Sequence, residues 1–206
     1  MFRKSFLVIS LLLMGLYVFA QQFPSEIFHD GKVVLTSGDT ISGRIKYNLQ
    51  NDLVEVITGG VVQTYTARKI IKFTIFDKTV DTYRTFYSVP YYREPNYKVP
   101  MLFEVLYEGQ LSLLARESLV QENVPSYNYY YRGNYNITQT RIEYQYFFLD
   151  NKGNFRRFTT KKNDLLDIMA RRGPQIKQYI KKNHLKTDKK GDLVRITAYY
   201  NSLMGG

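Results

Sequence analysis

The stretch of sequence that decides the fold is KVVLTSGDTISGRIKY, which runs from Lys32 to Tyr47. It contains two strand-like runs joined by Gly38-Asp39, and in the second run Ile41, Ile45 and Tyr47 alternate with polar residues. Residues two apart on a strand face the same way, so this alternation is typical of a half-buried β-strand. Glycine eases the tight turn between the two runs. The segment therefore predicts a β-hairpin.

The same strand signature continues through the region that follows this hairpin. Strand-like runs recur about every ten residues, separated by turn residues, as they do in antiparallel sandwiches and barrels. Two further hairpins are expected, with turns at Glu108-Gly109-Gln110 and at residues 150–154. Other runs cover residues 53–58, 61–66, 70–76 and 80–89. The pattern predicts a mainly antiparallel β sandwich or barrel-like domain.

Two stretches rich in tyrosine are expected to interrupt the strands. Prolines at 90, 95 and 100 lack the amide proton that an inner strand donates, so residues 91–99 are predicted to form a loop. Residues 124–136 are predicted to form a second loop. Tyrosines on loops can stack on sugar rings or anchor a protein interface, although tyrosine is also simply a favourable strand residue. The candidate binding residues here are Tyr91, Tyr92, Tyr97, Tyr129, Tyr130 and Tyr131.

The last quarter of the chain differs from the rest in both periodicity and charge. From residue 163 the apolar residues recur three and four apart, which predicts helices. Residues 151–206 contain 14 Lys or Arg and 4 Asp or Glu, which gives a net charge of +10. Residues 21–150 contain 13 Lys or Arg and 14 Asp or Glu, which gives −1. Such asymmetry suggests contact with an anionic envelope surface or an acidic envelope protein, with Lys177, Lys181 and Lys182 as candidate binding residues. A solvated helical face explains the charge equally well.

Residues 1–20 have the features of a cleaved secretory signal. Arg3 and Lys4 are followed by an apolar run, and Val18-Phe19-Ala20 places small residues where a signal peptidase acts. The run has about 15 apolar residues where a spanning helix needs about 20, so we expect no transmembrane segment in the mature chain. The predicted organisation is a signal (1–20), a β domain (21–162) and a basic helical segment (163–206), an α+β protein. The expected location is the periplasm, the outer membrane surface or the extracellular space.

The composition of the chain argues against most kinds of catalytic site. The chain has no cysteine and only two histidines, His29 and His184, which argues against thiolate nucleophiles and against metal centres. It also lacks the Gly-x-Ser-x-Gly elbow and the phosphate-binding glycine motifs. We therefore expect no cofactor and no metal, and export makes a nucleic-acid partner improbable. The sequence favours a non-enzymatic binding or scaffold module.

A carboxylate-dependent glycan hydrolase, or a carbohydrate-binding protein, is the alternative. Glycoside hydrolysis requires only two carboxylates at a set separation, and Glu104 and Glu108 are the best candidate pair. On a strand, however, Glu104 faces away from Phe103 and Val105, which predicts an outward polar residue. Glu108 is predicted to lie in a turn.

The opening hairpin and two later segments also carry a resemblance. Uncharacterised exported β-rich proteins of Bacteroidota-type bacteria are what the chain resembles in Gly31 to Leu35, Gly38 to Ile45, Phe103 to Leu113 and the late Tyr200-Asn201. This set has no established activity, so the resemblance implies an exported location and a β architecture. It assigns no site residues.

Overall fold

The computed structural model describes residues 22–94, 97–128 and 133–205. An antiparallel β region is followed by helices, which confirms the expected fold class. The strands are β1 (His29–Leu35), β2 (Thr40–Asn48), β3 (Leu53–Thr58), β4 (Val61–Thr66), β5 (Ile70–Asp77), β6 (Thr82–Glu94), β7 (Tyr97–Tyr107), β8 (Leu111–Asn128), β9 (Gly133–Asp150) and β10 (Phe155–Phe158).

All ten described strands belong to one sheet, in the order β10-β9-β8-β7-β6-β5-β1-β2-β3-β4. Strands β1 and β2 form the predicted opening hairpin, and β1 also pairs with β5 on its other side. The remaining neighbours are consecutive in the chain. This arrangement leaves β4 and β10 at the two edges of the sheet.

The sheet coils strongly on itself. Strands β2 and β8 are five positions apart in the order, which in a flat sheet would separate them by about 24 Å. Nevertheless the Tyr47 hydroxyl on β2 donates a hydrogen bond to Glu117 on β8. Nearby, the Arg116 side chain on β8 donates to the Asp52 carboxylate in the β2–β3 turn, with a nitrogen–oxygen distance of 2.7 Å. These contacts close the coil.

Two glycines permit this curvature. Gly31 on β1 and Gly43 on β2 lie directly opposite each other. A Cβ atom on Gly31 would lie 2.3 Å from the Thr74 carbonyl oxygen, and one on Gly43 would lie 2.4 Å from the Ile57 carbonyl oxygen. Only glycine allows neighbouring backbones to approach this closely.

Three helices follow the sheet: α1 (Lys162–Ile168), α2 (Gly173–Lys182) and α3 (Lys190–Leu203). They cover β8, β9 and β10, where Leu165, Ile176 and Ile196 pack with sheet residues such as Leu113 and Phe148. On α3, the Asn201 amide group accepts from the Leu111 backbone N–H and donates to its carbonyl, at 3.0 and 2.9 Å. The helical segment is therefore an integral layer of the fold. Within the described residues, no helix combines the length and apolar character needed to cross a membrane.

The predicted loop at residues 91–99 is wrong over its described part, because β6 and β7 run through Pro90 and Pro100. Pro90 pairs with Pro100 across the two strands. At this point β6 has already passed its last pair with β5, at Tyr87, and β7 pairs with β8 only from Glu104 onward. Each proline thus lies on a strand with one neighbour, where its missing N–H would have pointed away from the ladder.

The predicted loop at residues 124–136 is also wrong over its described part. β8 and β9 stay paired out to Asn128 and Gly133, and Pro125 lies opposite Asn136. Here too β8 pairs with β9 and no longer with β7, so proline is tolerated. Tyr129, Tyr130 and Tyr131 lie outside the described residues.

We expect Gly31→Ala to destabilise the protein by about 1–3 kcal/mol, because the new methyl group would force the β1 and β5 backbones apart. Gly191→Ala is the matched control: it lies in α3 with open space around the Cβ position and should be neutral or stabilising by about 0.5–1 kcal/mol. Urea unfolding of both variants measures these changes. Equal effects would contradict the role given to Gly31.

Candidate functional site

A cluster of charged side chains is buried on the inner face of the coiled sheet. We call Arg84, Asp77, Glu104, Glu117 and Tyr47 the Arg84 network. Each of these five residues is less than a tenth exposed. Burying charges is unfavourable unless each one is paired and hydrogen-bonded, so the network requires a complete set of partners.

Arg84 uses all five of its N–H donors. Its Nε and Nη2 atoms bind the two oxygens of Glu104, each at 2.9 Å, in a bidentate pair. Nη2 also donates to Glu117 at 2.8 Å, while Nη1 donates to Asp77 at 2.9 Å and to the Tyr47 hydroxyl at 2.8 Å. A guanidinium has five donors in a fixed fork, so the donor capacity of Arg84 is saturated.

The network lies within the apolar core. Cross-strand neighbours form one row over six strands, from β5 to β10, and every member of the row is buried. That row is Phe73, Phe86, Glu104, Ala115, Tyr146 and Phe158. The expectation that Glu104 points outward is therefore wrong. The other face of β7 also packs in a core, around Phe103, so neither face of this strand is free to meet solvent.

Lys190 connects the network to the helices. Its Nζ atom, at the start of α3, donates to both oxygens of Glu104 at 3.0 and 3.2 Å. The same ammonium lies 4.9 Å from the centre of the Tyr144 ring, a cation–π distance. Lys190 is about a third exposed and is thus the most accessible member of this group of charges.

The local charges set the protonation states. Burial alone would lower the pKa of Arg84, but the hydrogen bonds and charge of Glu104 raise it above its ordinary value, so Arg84 stays cationic. Burial acts to raise the pKa of Asp77, but hydrogen bonds from Thr79 and Arg84 outweigh it and hold that pKa below the ordinary 3.8. Burial raises the pKa of the Tyr47 hydroxyl, which therefore stays neutral and can donate to Glu117.

His29 is the buried neighbour of this network. It is fully buried, and its Nε2 atom lies 2.7 Å from the Pro24 carbonyl oxygen, to which it donates a hydrogen bond. Its Nδ1 atom has no hydrogen-bond partner among the described residues and lies 3.9 Å from the Asp77 carboxylate. His184, in contrast, is exposed just after the end of α2.

A cleft of about 570 Å³ opens onto the network. Arg84, Glu104 and Lys190 line it together with apolar side chains, among them Phe23, Val80, Ile142, Tyr144 and Val194. The carboxylates in it already have hydrogen-bond partners: both oxygens of Glu104 accept from Arg84 and Lys190, and Asp77 accepts from Arg84 and Thr79. Among the described residues, no cluster of three or more acidic or histidine side chains has the geometry to hold a metal ion.

The carboxylates that converge are not the pair favoured by the sequence. Glu108 is exposed in the β7–β8 turn, as predicted, whereas Glu104 shares the Nη2 atom of Arg84 with Glu117. Asp77, Arg84 and Glu117 were missed. A signal for them exists, because each continues the alternation of buried apolar residues on its strand, as Asp77 follows Phe73 and Ile75.

The predicted tyrosines that the structure describes, Tyr91, Tyr92 and Tyr97, differ in exposure. Tyr91 is half-buried in an aromatic cluster with Phe103, Phe147 and Phe155, at ring-centre distances of 4.9–5.7 Å. Tyr92 and Tyr97 are about half exposed. Lys98 lies 4.6 Å over the Tyr92 ring, and Arg68 donates to the Tyr97 hydroxyl at 3.3 Å. Tyr92 and Tyr97 therefore remain accessible, while Tyr91 contributes to packing.

The predicted lysines are exposed together on α2. Ile176 and Ile180 turn one side of this helix into the core, which leaves Lys177, Lys181 and Lys182 in solvent. Lys177 and Lys181 are four residues apart and so lie on the same side. Within the described part of the chain, none of the three takes part in an ion pair.

Comparison with protein-family models, curated proteins and solved structures finds no match to this chain. Its function must therefore be inferred from its own surfaces and buried groups.

Arg84→Met should destabilise the protein by about 3–5 kcal/mol, because it leaves the buried Asp77 and Glu117 without their cation and Glu104 with Lys190 alone. The control is Arg141→Met, which removes an exposed ion pair with Glu122 and should change stability by less than about 1 kcal/mol. Chemical unfolding at neutral pH distinguishes the two. Similar small effects for both variants would show that the network does not support the fold.

Asp77 should make stability depend on pH in acid. Its folded-state pKa is depressed, so its contribution is complete above the ordinary value of 3.8 and is lost as the pH falls through the folded-state pKa. Asp77→Asn cannot ionise, so wild type should exceed this variant in stability at neutral pH and lose that advantage below pH 3.8. Urea midpoints of both proteins over this range test the expectation. A difference that is independent of pH would contradict it.

Proposed function

We propose that this protein is a non-enzymatic binding module of the bacterial cell envelope, exported by residues 1–20, whose helical segment binds an anionic membrane surface. The observation that carries the proposal is the position of Lys177, Lys181 and Lys182 on α2. They are held in solvent on a helix whose opposite side is anchored in the core.

The cations of the buried network have carboxylate partners, whereas the exposed lysines of α2 do not form ion pairs among the described residues. In the interior, Arg84 and Lys190 are neutralised by carboxylates on three strands. On α2, in contrast, Lys177, Lys181 and Lys182 are exposed, the helix itself contains no acidic residue, and none of the three forms an ion pair among the described residues. Uncompensated charge on a rigid surface attracts anions from solution, whereas compensated charge does not.

The buried network supports a role without catalysis. A general acid or a nucleophile needs a carboxylate that can reach a substrate. Glu104, Glu117 and Asp77 are instead fixed by Arg84, and Glu104 is further fixed by Lys190. These contacts favour a structural use of the carboxylates over hydrolysis of a glycan.

A phosphate-bearing membrane is the surface that fits an exported protein with this charge. A lysine close to an anionic bilayer contributes about 1 kcal/mol, so three lysines contribute about 3 kcal/mol, roughly a hundredfold in affinity. This attraction is screened by salt, because the Debye length falls from about 10 Å at 0.1 M to about 3 Å at 1 M.

The test is co-sedimentation of the protein lacking residues 1–20 with vesicles of phosphatidylethanolamine and phosphatidylglycerol. We expect binding at low salt that is lost at high salt and reduced roughly a hundredfold by the triple change Lys177→Gln, Lys181→Gln and Lys182→Gln. The matched control replaces the exposed basic residues Lys32, Arg44 and Lys69 of the sheet region by Gln, which should leave binding unchanged. Equal binding by both triple variants would overturn the proposal.

A further inference from the structure

Strand β4 forms an open edge of the sheet. In the described ranges, its inner side pairs with β3 and no strand pairs with its outer side. Val61 and Val62 are 60% and 56% exposed, which is high for valine on a strand. The unpaired N–H and C=O groups of such an edge can template pairing with another strand.

The two edge strands, β4 and β10, differ in length and in charge. At the other edge, β10 is four residues long, and two of them are Arg156 and Arg157. Short length and charge are the usual means of blocking an edge. In β4, by contrast, the sequence is Val-Val-Gln-Thr-Tyr-Thr, with no charged residue and no proline. This edge lacks the usual protection.

The turn before β4 determines which backbone groups are free. Gly59 and Gly60 both have positive φ, at 58° and 82°, as a type I′ turn requires. Such a two-residue turn closes on a hydrogen-bonded pair, here Thr58 and Val61. By alternation, the N–H and C=O groups of Val62 and Thr64 then point outward, ready to pair with another strand.

We propose that two copies of this chain pair through β4, antiparallel, about a twofold axis at Gln63. The strand is self-complementary in this register. An axis perpendicular to the sheet keeps the core face continuous, so Val61 lies opposite the partner's Tyr65 and Val62 lies opposite the partner's Thr64. No like charges meet across the axis.

The pairing would extend an existing core. Tyr65 already packs against the inner apolar cluster that contains Val54 and Val56. Val61 lies four residues before Tyr65 on β4, so the two side chains are on the same face of the strand. In the dimer, the Tyr65 side chain of the partner subunit would cover Val61. The contact involves one short strand from each copy, so we expect association at micromolar concentration. This inference is independent of the membrane proposal.

Sedimentation of the chain lacking residues 1–20, over a concentration series spanning the micromolar range, tests for the dimer. Val62→Lys places ammonium groups along the shared edge and should raise the dimer dissociation constant by about tenfold or more. Val80→Lys is the matched control, since Val80 is 60% exposed in the β5–β6 turn, and it should leave the dissociation constant unchanged. A wild-type monomer throughout the series would overturn the proposal.

Cross-linking tests the position of the axis. The chain contains no cysteine, so single cysteines report on single positions. Gln63→Cys should form a disulfide-linked dimer on mild oxidation, because residues facing each other across a non-hydrogen-bonded pair have Cα atoms about 4.5 Å apart. Arg157→Cys on β10 should not. Equal cross-linking at both edges, or open-ended assembly beyond the dimer, would overturn the twofold arrangement.

Discussion

The structure depends on the complete pairing of one buried guanidinium. Arg84 holds carboxylates from β5, β7 and β8 and the Tyr47 hydroxyl from β2, and these strands are distant in sequence. A flat sheet could not bring them together. The coil of the sheet and the saturation of Arg84 therefore require each other, because an incompletely coiled chain would leave charges buried without partners.

The network also lies where two cores meet. On one side, β1 to β6 close over their own apolar residues; on the other, the three helices cover β8 to β10. Glu104 stands between these cores and accepts from Arg84 of the sheet and from Lys190 of α3. A change in the packing of α3 would therefore reach the Arg84 network through the carboxylate of Glu104.

The sequence predicted the fold class because alternation and turn residues are local signals. It failed at residues 91–99 and 124–136, since proline excludes only an inner strand and the number of neighbours a strand has is not local information. Glu104 was misplaced for a related reason: alternation shows which residues share a face but not whether the opposite face is also covered. Tyr47, Arg84 and Glu117 could be recognised as partners only after the coil brought their strands together.

The cations of the Arg84 network and the lysines of α2 have different physical roles. Arg84 and Lys190 are matched by carboxylates, so they act mainly on the stability of the fold. Lys177, Lys181 and Lys182 are unmatched within the described residues, and they project from a helix held rigid by Ile176 and Ile180. A rigid unmatched charge loses little conformational freedom on binding beyond its own side chain. The net charge of +11 over the full chain thus does not measure binding capacity, because a partner responds to the cations left unmatched on one surface and not to a sum over the whole molecule.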